Sequence, residues 1–395
     1  MESLLSGRLA GAASLNRFAV VAVFAIAWTL LSGVALAQAE KSKPAKAPAA
    51  SAATVVGEAG AALDAYLRDA KRFPDGFSGC VLVAKDGAVL LEKAYGLANA
   101  ADARPLGVDA LFDWASVTKQ FTAAAVLKLE MQKKLALTDP LRKHLGDLMP
   151  DKPAKRTAKG EPAAKGEILV RHLLDHTSGI PHDADFPQSV DLFSRDAVAR
   201  HVLSLPLASE PGEKWEYNNV AYFLAGALIE KASGKSYETF LRENLFEPAG
   251  MSDAGFIGDG RVDLARVPNE DRGRGEPFAY GPRLSWGYRG AGGALASVRD
   301  MLRWDQALRG DKLLSKKAKA SWYEPARENY ALGWKVSQGS GGTRVQHGGA
   351  VGKLRCCYLR DLDKPLVVAL ASNDVPPEHP EIYVDGLAEI ARRAR

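Results

Sequence analysis

Apolar residues recur along this chain with two periods. Two apolar runs, 77–85 and 88–95, flank the pair Asp86-Gly87. Asp-Gly between such runs predicts a tight β-hairpin, because both turn positions need positive φ. Just before it, Leu63, Tyr66, Leu67 and Ala70 recur at helical spacing and predict a helix over 61–72. From residue 116 the pattern turns helical again. The run Thr122-Ala123-Ala124-Ala125-Val126-Leu127 is apolar, rich in alanine and free of glycine and proline. It predicts a buried helix with Ser116 at its start. Residues 168–180 read as a short helix closing in a turn. Val220, Phe223, Leu224, Ala227 and Leu228 form one face of an amphipathic helix that stops at Gly234. A glycine-rich stretch, 287–296, then leads into a helix over 297–308, and its glycines point to close backbone approach beneath a site or turn. The chain returns to strands at 330–336, 343–346, 353–359 and 366–372, and a last helix covers about 383–393.

Strands at both ends and helices in the middle predict an α+β fold, an α/β sandwich. Its antiparallel sheet is built from both termini and flanked by helices. A mostly helical segment, about 125–290, is inserted between them. The chain has 395 residues, 47% hydrophobic and 25% charged, which fits a globular fold over a disordered chain or a membrane bundle. The net charge of +5 is small for this length and is concentrated in a leader and a basic insertion over 151–165, so it does not point to nucleic acid.

Residues 1–37 carry the pattern of an export signal. Arg8 and Arg17 precede an uncharged run over 18–31, and Ala35-Leu36-Ala37 offers a small-x-small cleavage site. The protein is therefore expected to be secreted or periplasmic, with a membrane tie only if the leader is retained. Residues 38–54, rich in alanine, lysine and proline, read as a flexible linker to a single domain over 55–395. Cys80, Cys356 and Cys357 are odd in number and show no metal-site spacing. Neighbours on a strand face opposite ways, so Cys356 and Cys357 are not expected to pair.

The candidate chemistry begins with Ser116 and Lys119. Three residues apart on a helix, they share a face, so the lysine nitrogen can sit beside the hydroxyl. A serine hydroxyl is a weak nucleophile that needs such a base, and burial lowers a lysine pKa toward that role. His172 and His176 are four apart, yet Asp175 is not placed as in a zinc-protease helix, so no metal is expected there. Two further segments follow in order: Tyr217-Asn218-Asn219 and His347-Gly348-Gly349.

Ser116-x-x-Lys119, Tyr217-x-Asn219 and His347-x-Gly349 together resemble the penicillin-recognising serine hydrolases, especially class C β-lactamases and related esterases and D-alanyl-D-alanine peptidases. The likeness extends over about 77–373. It implies Ser116 as acylated nucleophile, Lys119 as its partner, and Tyr217 as base and then acid. It also implies Asn219 as a ligand of Lys119 and of the substrate amide. Gly348 and Gly349 belong to the substrate strand, and the N–H groups of Ser116 and Ala350 form the oxyanion hole. His347 stands where many relatives carry lysine. Being partly charged at neutral pH, it is expected to anchor a substrate carboxylate less firmly. No cofactor or metal is implied. The substrate is an ester, an amide or a D-amino-acid peptide, a small molecule or a peptide of peptidoglycan. The alternatives are a true class C-type β-lactamase and a non-catalytic peptidoglycan-binding relative.

Overall fold

A computed structural model describes residues 53–151, 166–182, 190–278, 281, 283–339, 341–376 and 379–394. The expected leader, nearly all of the linker and most of the basic insertion lie outside the described residues. Seven strands form the main sheet: β1 (Thr54–Val55), β2 (Gly79–Lys85), β3 (Ala88–Tyr95), β4 (Lys335–Gly339), β5 (Gly342–Val351), β6 (Leu354–Asp361) and β7 (Leu366–Ser372). Their order is β1-β3-β2-β7-β6-β5-β4, and every pairing is antiparallel. The N-terminal hairpin and the C-terminal meander thus meet at the β2–β7 seam, as the strand pattern predicts.

Local chemistry explains the match. Asp86 and Gly87 both take positive φ, 51° and 83°, the turn that suits the right-handed twist of a hairpin. Several boundaries differ from expectation: the helix expected over 61–72 spans Gly57–Arg68, and the strand expected over 343–346 runs through Gly342–Val351. Thr54 and Val55, the latter just past the expected linker end, pair with Glu92 and Leu91 and form a short edge strand. Residues 330–334 make only isolated bridges, and β4 begins at Lys335.

The helices that matter for the site are α1 (Gly57–Arg68), α2 (Thr118–Met131), α3 (Val170–Leu174), α4 (Asn219–Ser233), α5 (Tyr237–Leu241), α6 (Val298–Arg309) and α7 (Pro380–Arg393). Strand alternation divides the apolar residues between two cores. Cys80, Leu82, Ala369, Ala371, Cys356 and Tyr358 face the large core shared with α2 and α4. Val81, Val83, Leu359, Val368, Leu370 and Cys357 face α1 and α7 through Leu63, Leu67, Val384 and Leu387. Each fully buried aliphatic side chain in these cores stabilises by about 1.5–3 kcal/mol.

Cys356 and Cys357 therefore sit on opposite faces, and all three cysteines are free and buried. Burial raises each thiol well above its ordinary pKa. A thiol reagent is expected to label none of them in the folded protein and all three in denaturant. Fewer than three labels after unfolding without reductant would mean that a disulfide forms.

Candidate active site

Ser116 is presented by a turn with a strained neighbour. Phe112–Asp113 pairs with Ala294–Ala296 in a small sheet completed by Gly255–Phe256. Within the turn, Asp113 Oδ1 accepts from Ala115 N–H at 2.7 Å and from Gly293 N–H at 3.2 Å. Ala294 N–H donates to Thr118 Oγ1 at 3.2 Å. These bonds hold Ala115 at φ 41°, a left-handed conformation that costs a non-glycine residue about 1–2 kcal/mol. Ser116 consequently lies in a single 3-10 turn, Ala115–Val117, just before α2 instead of on the helix itself. It is half-buried between the buried Ala115 and Val117.

Lys119 is fully buried on the first turn of α2. Its Nζ donates to Ser116 Oγ at 3.0 Å, to Asn219 Oδ1 at 2.7 Å and to the Ala291 carbonyl at 3.0 Å. An ammonium carries three protons, and all three directions are occupied. No carboxylate is among these partners, and burial pushes the lysine well below its ordinary pKa. The glycine-rich stretch flagged in the sequence supplies the third acceptor. Gly290 takes φ 82°, and a Cβ there would lie 2.2 Å from the Tyr222 carbonyl, so only glycine lets the loop approach α4.

The start of α4 brings in Tyr217 and Asn219. Asn218 is the N-cap, accepting from Ala221 N–H at 3.1 Å, which frees Asn219 to meet Lys119. The Tyr217 hydroxyl lies near Ser116, and its ring centroid lies 4.9 Å from Lys119 Nζ. Burial pushes its phenol up to about 12, outweighing the Ser116 hydroxyl nearby, which favours ionisation. Tyr217 therefore stays protonated at neutral pH although Lys119 lies beside it, because desolvation disfavours charge on both partners.

His347 also departs from expectation. Its ring is buried, with Nδ1 2.6 Å from the Gly348 carbonyl and Nε2 2.9 Å from the Tyr330 hydroxyl. A carbonyl only accepts, so Nδ1 carries the proton and Nε2 accepts from Tyr330. Burial first, then the nearby Lys119, pushes the ring down to about 3. It is a neutral strut at neutral pH, not a partly charged anchor. Gly348 lies on the other face of β5, where a Cβ would fall 2.2 Å from Glu381 Oε1 on α7. Its small size makes room for that helix. Gly349 faces the site: a Cβ there would lie 2.6 Å from Cys356 Sγ and 2.8 Å from the Trp114 carbonyl. This close approach sets Gly349 and the exposed Ala350 beside the turn that carries Ser116.

Sequence reading missed three contributors. His176 takes φ 60° and is buried; its Nδ1 accepts from Asn218 N–H at 3.0 Å, and its ring lies 4.4 Å from that of Tyr217. Tyr222 turns its ring toward Lys119 at 5.4 Å, with its hydroxyl donating to the Leu174 carbonyl at 2.6 Å. Ala291 acts only through its backbone. His176 and Tyr222 carry ordinary core signals in the sequence, and no side chain announces Ala291. His172, considered with His176 as a metal pair, accepts from Leu169 N–H through Nδ1 at 3.2 Å.

The Gly349 contact yields a test. Gly349→Ala is expected to destabilise the fold by about 1–3 kcal/mol through overpacking, read as a lower Tm. An unchanged Tm would mean that β5 does not press on the Trp114 backbone.

Residues 63–392 match the Beta-lactamase family. A penicillin-binding protein of Bacillus subtilis (strain 168) is 30% identical over 335 residues, covering 75% of this chain and 68% of its own length. Esterase EstB of Burkholderia gladioli is 33% identical over 231 residues, 55% of this chain and 56% of EstB. Among solved structures, the octameric penicillin-binding protein homologue from Pyrococcus abyssi superposes with a TM-score of 0.66 at 26% identity, covering 84% of this chain and 77% of that one. With its fold, its site geometry and a match over most of its length, the chain belongs to the Beta-lactamase family of serine hydrolases.

Proposed function

We propose that this protein is an exported acyl-transferring hydrolase that works through an acyl-enzyme on Ser116, with Lys119 as base and Tyr217 as acid. The observation that carries the reading is the buried Lys119 Nζ 3.0 Å from Ser116 Oγ, with its other two hydrogen bonds held by Asn219 and Ala291. A tetrahedral nitrogen with two N–H groups fixed aims its third direction at Ser116. In the neutral amine that direction is a lone pair, ready to take the serine proton as Oγ attacks a carbonyl. The ammonium so formed finds all three acceptors in place. Tyr217, kept protonated by burial, then gives its proton to the departing oxygen or nitrogen, and the proton that Lys119 took from Ser116 restores it. The N–H groups of Ser116 and Ala350 receive the developing oxyanion. Water resolves the acyl-enzyme.

The neutral His347 shapes the substrate reading. The His-Gly-Gly segment offers no positive charge to a carboxylate beside the scissile bond. We infer an ester, or an amide whose leaving side is uncharged, in preference to a peptide ending in a free D-amino-acid carboxylate. The leader pattern over 1–37 supports action outside the cytoplasm, where peptidoglycan-derived amides are within reach.

Ser116→Ala is expected to lower kcat/KM for p-nitrophenyl esters by about 10³-fold or more and to abolish labelling by a fluorophosphonate. Labelling that survives in the variant would reject Ser116 as nucleophile, and an unlabelled, folded wild type would favour the non-catalytic binder. In a matched pair, N-acetyl-D-Ala-D-alaninamide should be cleaved faster than N-acetyl-D-Ala-D-Ala. The reverse order, or rapid nitrocefin hydrolysis, would shift the reading to a carboxylate-directed peptidase or β-lactamase.

The pH dependence follows from the same groups. Lys119 works as the amine, so activity rises as pH climbs through its pKa. Burial lowers that pKa, placing the acid limb well below 10.5. Tyr217 works protonated, and its shift to about 12 postpones any alkaline loss from it. A kcat/KM profile that falls between pH 8 and 10 in a folded enzyme would contradict this assignment.

A further inference from the structure

We propose that Thr122 and Tyr237 form a buried clamp that holds the 290–291 backbone against Lys119, making both positioning residues for the reaction. The inference rests on Lys119 acting as the base. Lys119 and Thr122 are three residues apart on α2 and so share a face. Both side chains reach the same two peptide units: Lys119 Nζ donates to the Ala291 carbonyl at 3.0 Å, and Thr122 Oγ1 donates to the Gly290 carbonyl at 2.7 Å. A threonine hydroxyl has one proton, and here it goes to Gly290. The Tyr237 hydroxyl, 2.8 Å away on α5, must therefore donate to Thr122 Oγ1. Thr122 and Tyr237 are both fully buried, and burial keeps the Tyr237 phenol protonated.

The loop has no slack on its other sides. Gly290 packs on the Tyr222 carbonyl, and Gly226 of α4 would touch the Arg289 carbonyl and Gly290 Cα through any Cβ, at 3.7 and 3.8 Å. Arg289 is tied to Glu238 by an ion pair on the α5 side. The Ala291 and Gly292 N–H groups both donate to the Tyr288 carbonyl, at 3.1 and 3.0 Å, and the clamp adds the hold on the Gly290 carbonyl that sets where the Ala291 carbonyl points. That carbonyl decides, with Asn219, where the third direction of Lys119 Nζ points. Loss of the Thr122 hydroxyl leaves the Gly290 carbonyl without its donor and shifts the peptide.

The consequence for protonation has a definite sign. The groups facing Lys119 are Ser116 on its turn, Tyr217 and Tyr222 at α4, Asn219, His176 after α3 and His347 on β5. Glu238 and Arg289 flank the clamp as a mutually neutralising pair. Remove the Ala291 acceptor and both forms of Lys119 lose a hydrogen bond, but the ammonium loses the stronger, charge-assisted one, so the amine is favoured. The acid limb of the pH profile then moves to lower pH while turnover falls through misalignment.

The test compares Thr122→Val, an isostere without the hydroxyl, with Thr122→Ser and Tyr237→Phe, using p-nitrophenyl ester turnover from pH 4 to 10. Thr122→Val is expected to lose about 10- to 100-fold in kcat, with little change in KM and an acid limb shifted to lower pH. Thr122→Ser should restore both rate and limb. Tyr237→Phe, which removes only the second hydroxyl, should move both in the same direction by less. If Thr122→Val does not fold by circular dichroism, Tyr237→Phe carries the test alone. Folded variants with a wild-type profile, or a rate loss without a shifted limb, overturn the clamp. Ser116→Ala run beside them separates the two claims. Residual fluorophosphonate labelling there refutes the site assignment itself, whereas an unlabelled Ser116→Ala with wild-type clamp variants refutes the clamp only.

Discussion

A lysine side chain with no exposure to water and no carboxylate among its bonded partners is the constraint around which this molecule is arranged. Burying an unpaired ammonium is costly, and proteins meet that cost by hydrogen bonding or by losing the charge. Here both responses are visible. Three oxygens, one from three residues away and two from remote parts of the chain, surround Nζ, and burial still favours the amine. A nitrogen that can exist in either form, with two of its directions fixed, is suited to shuttling one proton along the third. The same arrangement explains the local strain at Ala115. The Asp113-braced turn holds Ser116 just ahead of α2, with its hydroxyl 3.0 Å from Lys119 Nζ.

Neutral aromatic groups, not charged ones, complete the surroundings. Tyr217 and Tyr222 present ring faces to Lys119, and these stabilise the ammonium without adding a negative charge that would hold the proton permanently. His176 and His347 are both buried and both driven toward the neutral form, partly by the lysine itself. His176 aligns Asn218, and with it Tyr217, while His347 is locked between Gly348 and Tyr330. A second positive charge at either histidine would push the lysine pKa lower still and would alter which substrates approach.

The two-sided sheet gives this centre its rigidity. β5 contributes Gly349 to the site and Gly348 to the α7 packing through the alternation of a single strand. One glycine lets the backbone of Trp114 approach, and the next admits a carboxylate on the opposite face. The α7 side of the sheet is thus coupled sterically to the strand that borders Ser116.

Much of this was legible in the sequence. The hairpin at Asp86-Gly87, the meander over β5–β7, the capped helix ending at Gly234 and the opposed Cys356 and Cys357 all follow from local rules of period and turn chemistry, which need no long-range information. Ser116 and Lys119 on one face follow from three-residue spacing, and the later motifs entered by family resemblance. What the linear order cannot carry is any property set by contact between distant segments. The Ala291 carbonyl has no side-chain signature, and Tyr222 reads as an ordinary apolar-face residue. The neutrality of His347 and the protonated state of Tyr217 depend on burial, which exists only once the strands and helices have closed around them. The residue types that can do the chemistry are therefore local information, while their protonation and aim are decided by desolvation and by backbone groups brought together in the folded chain.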